Sequence, residues 1–421
     1  MYKDIQFSTR VSSAYWQEES RSWKIATEAG EQLTSRFFIT AVGPLSTPTM
    51  PRGLDAARFK GESCHTAKWP HEPISFEGKR VAIIGTGATG VQTIQEVVKT
   101  AKTLTVFQRT PNWCCPLHNS PVTNEEMAEI RKNYAAIFRR CNETFACFVH
   151  AADPRSVFEV TMEEREALWE KLYAEPGFGI WQSNFRDILV DPDANALISD
   201  WIANKIRSRV MDPVVAEKLI PKNHGFGTRR LPLETFYFEA YNKPNVELVD
   251  LHETRIECIT EKGIKTSDQE REFDMIIYAT GFDALTGSFN RIDIRGTDGE
   301  KLKDRWAKSP HTFMGLMVDR YPNMMMIMGP HTALGNIVRS MEYGVDWIIR
   351  LLKYAQERGL TRLEATREAS DEWTEHVNFL GTKMLSADVD SWMTGVNHNV
   401  DGKSVRHVAR YAGKLLAGIL Y

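Results

Sequence analysis

The 421-residue sequence predicts an α/β protein with two dinucleotide-binding, Rossmann-like domains, the first incomplete at its N-terminus and the second carrying a helical insertion. Three observations predict it. The apolar run at residues 81–84 leads into Gly85, Gly87 and Gly90 and then a helical pattern, which is the strand, glycine turn and helix start of a βαβ unit. Two other apolar runs end alike, in Ala41, Val42, Gly43 and in Ala279, Thr280, Gly281. They read either as strands that each close a nucleotide domain or as a coincidence of buried strands before glycines. Between them lies a block with helix-start signals.

The elements follow in chain order. Residues 5–11 and 22–26 alternate as strands do, a turn follows at Glu28, Ala29 and Gly30, and residues 37–42 form a buried apolar strand. Three short strands cannot complete a nucleotide domain. They read as the tail of a domain whose beginning is absent, and they must join material from elsewhere in the chain or from another chain. An uncovered sheet edge favours self-association or a partner chain.

In the second domain each glycine has a task. Gly85 permits the tight turn, Gly87 lets the backbone approach a pyrophosphate, and Gly90 allows close helix packing, while the helix N-terminus offers free N–H donors. A second strand at residues 105–107 runs into Gln108, Arg109 and Thr110, where an NAD site would carry a carboxylate. A guanidinium there suits a 2′-phosphate, so NADP is favoured over NAD, the alternative being a solvated loop charge.

The insertion begins with the capping box Thr123 and Glu126, on a helix running towards Cys147, and repeats it at Thr161 and Glu164. Asp191 and Pro192 start another helix, with Ala194, Leu197, Ile198, Trp201 and Ile202 on one face. The block either shapes a substrate cavity or only packs. After it, GFGTRRLP sets Arg229 beside Arg230, read either as solvated charges or as an anion clamp. A strand follows at 245–249, then apolar segments at 312–317 and 323–329 and a helix at 336–355.

Composition narrows the class. With 42% hydrophobic and 25% charged residues, net charge −3 and no basic block, the chain is globular and nucleic acid is not its partner. Six scattered cysteines lack metal-ligand spacing, so no metal is expected and the thiols read as reduced, in the cytoplasm. No apolar run reaches the length of a membrane span, and the first residues are no signal peptide.

Together these residues resemble the type I Baeyer–Villiger monooxygenases, flavin enzymes that use NADPH and O2 to turn ketones into esters or lactones. The family's FxGxxxHxxxW fingerprint followed by Pro is met by Phe59, Gly61, His65, Trp69 and Pro70, just before the glycine turn. The likeness continues through VFQRTP, GFGTRRLP, ATGFDALTG, MGPHTALGN and SWMTGVN, and is closest to the branch acting on aryl and open-chain ketones.

The resemblance implies that Gly85, Thr86, Gly87, Ala88, Thr89, Gly90, Val91 and Gln92 hold the NADP pyrophosphate, and that Arg109, Thr110 and Arg229 contact its 2′-phosphate end. It makes Arg230 the active-site cation, places Trp392 at the nicotinamide end and Ile337 against the flavin, and gives His65 a conformational role. The domains it implies are an FAD-domain remnant at 1–46, an NADP domain at 47–118 and 223–283, the helical insertion at 119–222, and the C-terminal part of the FAD domain at 284–421. Family members begin with a further GxGxxG unit for FAD, which these residues do not hold. FAD binding by this chain alone is therefore the open point, and the alternative function is an NADP(H)-binding remnant or accessory protein. A non-flavin reductase would need a YxxxK spacing near the glycine turn, and none is found there.

Overall fold

The computed structural model describes residues 2–144, 146–332 and 335–411. Strands β1 (Val11–Gln17), β2 (Ser22–Thr27) and β3 (Gln32–Ser35) form an antiparallel meander, and β4 (Phe38–Thr40) leaves it for another sheet. The first strand is therefore not at 5–11. Ser8 takes a left-handed φ of 53°, which breaks the extension, and Ile5 and Phe7 are exposed. Strand β1 instead buries Ala14 and Trp16, two residues apart as the pleat requires.

Next come β5 (Glu62–His65), β6 (Arg80–Ile84), helix α1 (Ala88–Val97) and β7 (Thr103–Gln108). The short β8 (Cys115–Pro116) leads to the insertion, with α2 (Asn124–Lys132), α3 (Tyr134–Glu143), α4 (Met162–Ala174), α5 (Gly179–Gln182), α6 (Pro192–Arg209) and α7 (Pro213–Leu219). Both capping boxes form, at Thr123 with Glu126 and at Thr161 with Glu164, and Asp191 caps α6 with Pro192 at its first turn. The helix after Thr123 does not run on towards Cys147. It breaks at Asn133, whose ψ of 6° interrupts the helical path, and resumes as α3.

The chain returns through β9 (Leu233–Glu234), α8 (Tyr237–Ala240), β10 (Val246–Asp250), β11 (Ile256–Ile259), β12 (Gly263–Thr266), β13 (Glu270–Glu272) and β14 (Met275–Tyr278). Five of the strands make a parallel sheet in the order β10-β7-β6-β14-β5, with β11 to β13 as an antiparallel crossover between β10 and β14. Parallel strands covered on both faces need apolar side chains throughout. Val81, Ala82, Ile83, Leu104, Val106, Ile276 and Ile277 are all fully buried.

The last part holds β15 (Asp293–Arg295), α9 (Leu302–Arg305), β16 (Met324–Met326), α10 (Ile337–Glu357) and α11 (Arg367–Gly381). It rejoins the N-terminal strands, since β15 pairs in parallel with β1 and β16 in parallel with β4. Of the 323–329 run only Met324–Met326 are strand, all fully buried. Segment 312–317 is a turn, because Met314 and Gly315 both have φ near 60°. The two chain crossings between the sheets run side by side. Thr49 N–H donates to Gly281 O at 3.0 Å, Thr280 Oγ1 to Thr49 O at 2.6 Å, Asp283 N–H to Thr47 O and Leu285 N–H to Pro44 O, both at 2.8 Å.

Candidate active site

Strand β6 delivers the glycine turn to the carboxyl edge of the parallel sheet. Gly85 has φ of 108°, and a Cβ there would lie 2.5 Å from Ala279 O, so only glycine fits between β6 and β14. A Cβ on Gly90 would lie 2.2 Å from Gly85 O, which presses α1 onto the turn. Gly87 differs. It is exposed, and a Cβ there would meet nothing within 4 Å, so its neighbourhood is open to a ligand. Thr86 is buried and donates to Thr110 O at 3.0 Å, tying the turn to the loop after β7. Ala88 and Thr89 are half-buried at the helix start and Gln92 is exposed, whereas Val91 points into the core and its N–H bonds Gly87 O.

Arg109 and Arg229 come together from elements 120 residues apart. Burial pushes the pKa of Arg229 down, Arg109 pushes it further, and Asp390 opposes them. The Nε of Arg229 is buried with no partner among the described residues. Two adjacent cations with an orphaned donor form a site that wants an anion.

Arg230 sits on the other side of the same loop. It is half-buried, its pKa is lowered by burial alone, and among the described residues its guanidinium makes one long hydrogen bond, from Nη1 to Leu231 O at 3.4 Å. Its guanidinium lies 5.8 Å from the Phe178 ring, and Phe178 packs on Phe148 and Trp181. The insertion thus sets an aromatic wall beside a cation that no carboxylate of the described residues neutralises. This wall escaped the sequence, because Phe178 and Trp181 carry no motif. Trp392 packs against Ala284, Leu285 and Ala409, next to the paired crossings. Ile337 is 40% exposed at the start of α10, which Asn336 caps. His65 stands at the crossings, its ring edge-on to Phe282 at 6.0 Å and its Nδ1 accepting from Ala67 N–H.

The sequence pattern of the flavin-binding monooxygenase-like family matches residues 1–128. A 2-oxo-Δ3-4,5,5-trimethylcyclopentenylacetyl-CoA monooxygenase of Pseudomonas putida is 45% identical over 96% of this chain and 76% of its own length. The cyclopentanone 1,2-monooxygenase of Comamonas sp. is 39% identical over 96% and 74%. The chain belongs to the Baeyer–Villiger family of flavin-binding monooxygenases. The structure agrees with this family at the level of the fold. It matches OTEMO in complex with FAD and NADP with a TM-score of 0.93 at 44% identity, covering 98% of this chain and 77% of that one. It matches the Rhodococcus cyclohexanone monooxygenase bound to NADP+ with a TM-score of 0.94 at 34% identity, covering 98% and 77%.

The family's two cofactors can be tested against the residues present. NADP fits, because the open surroundings of Gly87 would admit its pyrophosphate and the orphaned Arg229 donor its 2′-phosphate. FAD fits as well, because the half-buried Arg230 guanidinium without a neutralising carboxylate among the described residues, and the start of α10, would suit its ring system. Among the described residues no helix is long and apolar enough to cross a membrane, and no cluster of metal-ligating side chains occurs.

Proposed function

We propose that Arg230 is the catalytic cation of a Baeyer–Villiger oxygenation that converts an apolar ketone to an ester or lactone with NADPH and O2. The observation that carries this reading is its half-buried guanidinium, beside an aromatic wall, without a neutralising carboxylate among the described residues. FAD, when bound, supplies the oxygen-transfer chemistry that no amino-acid side chain provides. The chain's own residues do the rest. Arg230 holds the carbonyl oxygen and stabilises the negative charge that grows on it, and Phe148, Phe178 and Trp181 exclude water and favour an apolar substrate. Gly85 to Gln92 and Arg109, Thr110 and Arg229 seat NADPH, Trp392 covers its nicotinamide end, and Ile337 lies against the flavin. Relatives named for cyclopentanone, cyclohexanone and acetone support a ketone substrate.

The division into an FAD part (1–46 and 284–421), an NADP part (47–118 and 223–283) and an insertion (119–222) is supported by the paired crossings at 44–49 and 280–285. The exposed Ile39 on β4 would suit cover by a second copy or a partner chain. The test is product analysis with FAD-loaded protein, NADPH and a panel of cyclic and open-chain ketones. Ester formation by the wild type should fall by about 10² or more in Arg230→Ala, with NADPH binding kept. Normal ester formation by that variant would remove Arg230 from the chemistry.

A further inference from the structure

A cavity of about 230 Å3 opens between the end of α11, residues 384–387, residues 393–394 and residues 406–410. It is lined by none of the residues assigned above. Arg410 enters it with part of its surface open and the guanidinium set among protein atoms, and burial pushes its pKa down to about 10, so it stays charged at neutral pH. Among the described residues its guanidinium makes one hydrogen bond, from Nη2 to Ser386 Oγ at 3.0 Å. No carboxylate of the described residues pairs with it.

The neighbours are arranged to match. Arg406 also lines the cavity but is already paired, through Nε to Asp390 Oδ1 at 2.6 Å. Thr394 donates to Val389 O and Ser391 O, and Thr382 to Asn378 O, so these hydroxyls are occupied. Ser386 Oγ accepts from Arg410 and keeps its own proton to give. His407 also lines the cavity, where burial holds its pKa below the usual imidazole value, but its ring is engaged with the Val405 backbone. A guanidinium offers five N–H donors, and a buried charge left with one is costly. The fork geometry of arginine suits a carboxylate or phosphate.

We propose that this cavity is an oxyanion-binding site, in which Arg410 and Ser386 hold a carboxylate or phosphate group. The group is either part of a ketone substrate or a free small anion. The site does not rest on the flavin chemistry, and its first test needs no turnover. Protein saturated with NADP+, so that the 2′-phosphate site is filled, is titrated calorimetrically with inorganic phosphate and with acetate. Saturable binding is expected, weakened at least tenfold in Arg410→Met, several-fold in Ser386→Ala, and largely kept in Arg410→Lys. Without anion, Arg410→Met should melt no lower than wild type, because it removes an uncompensated charge. No binding to wild type, or equal binding to wild type, Arg410→Met and Ser386→Ala, overturns the proposal. Should Arg410→Met fail to fold, Ser386→Ala decides. The source is then read from KM for a keto acid and for its methyl ester. A rise of tenfold or more for the acid alone in Arg410→Met assigns the site to substrate, and unchanged KM for both assigns it to a free anion.

Discussion

Arg229 carries its charge into a place where both burial and Arg109 oppose it, and a bound 2′-phosphate would relieve both. Each charge-assisted hydrogen bond adds about 1.5–3 kcal/mol. The protein should therefore bind NADPH at least tenfold more tightly than NADH, and Arg109→Ala should remove most of that preference while barely changing NADH affinity. Calorimetric titration with both nucleotides checks it, and equal affinities in the wild type would exclude a phosphate clamp. Residues of this kind were legible in the sequence because their signal is local. Arg109 ends a strand that follows a glycine turn, and Arg229 and Arg230 share one short loop. Asp390, which faces Arg229, and Phe178, which faces Arg230, come from segments far away in the chain with no local mark. Only the folded chain brings them together.

Strand β6, the glycine turn and α1 make a unit whose glycines separate folding from binding. Gly90→Ala puts a methyl 2.2 Å from Gly85 O, a backbone atom that cannot yield, so α1 must move off the turn. Overpacking of this sort costs about 1–3 kcal/mol. Gly87→Ala meets open space at a φ of −73°, which alanine accepts. Thermal melts should show a clear drop for Gly90→Ala and almost none for Gly87→Ala, while both lose NADPH affinity. A Gly87→Ala protein that binds NADPH normally would show that the phosphates do not approach there. The capping boxes and the strand–turn–helix order around these glycines are legible because their signals lie within a few consecutive residues. The N-terminal strand was misplaced because alternation at 5–11 resembles that at 11–17, and the choice between them is made by pairing with β15, some 280 residues later.

His311 gives a pH test at the same scale. It joins the loop before Met314 to α11, with Nε2 2.6 Å from Asp371 Oδ1 and Nδ1 3.4 Å from Asp319 Oδ1, where Arg305 also pairs with Asp319 and Arg367 with Asp371. Its pKa is raised, first by the Asp319 carboxylate beside Nδ1 and then by the Asp371 carboxylate bonded to Nε2, against the opposing effect of burial. A folded pKa above the unfolded value of about 6.5 means stability that is fully present below that value and lost as pH rises through the folded one. The wild type should thus exceed His311→Gln in melting temperature by more at pH 6 than at pH 9. A gap that is constant or grows with pH would place the neutral imidazole in the pair.

At the scale of the whole molecule, the paired crossings join the two sheets and bear on how they move together. Lys403 pins the second crossing to the C-terminal segment. Its Nζ bonds the Asp283 carboxylate, Thr286 Oγ1 at 2.8 Å and Ala284 O at 3.3 Å, and both charged side chains are mostly buried. Asn397 Nδ2 adds a bond to Phe282 O at 2.7 Å from the same segment. That segment also carries Trp392, which packs on Ala284 and Leu285. Removing one partner of a buried pair leaves the other charge unpaired, at a cost of about 3–5 kcal/mol, whereas replacing both costs far less. Lys403→Met should therefore melt well below the wild type, and adding Asp283→Asn should recover most of the loss, with a coupling measurable in a double-mutant cycle. If the segment also positions Trp392 on the nicotinamide end, Lys403→Met should weaken NADPH binding more than the double variant does. Additive losses in stability would show that Lys403 and Asp283 act separately and that the crossings, not this pin, join the two halves.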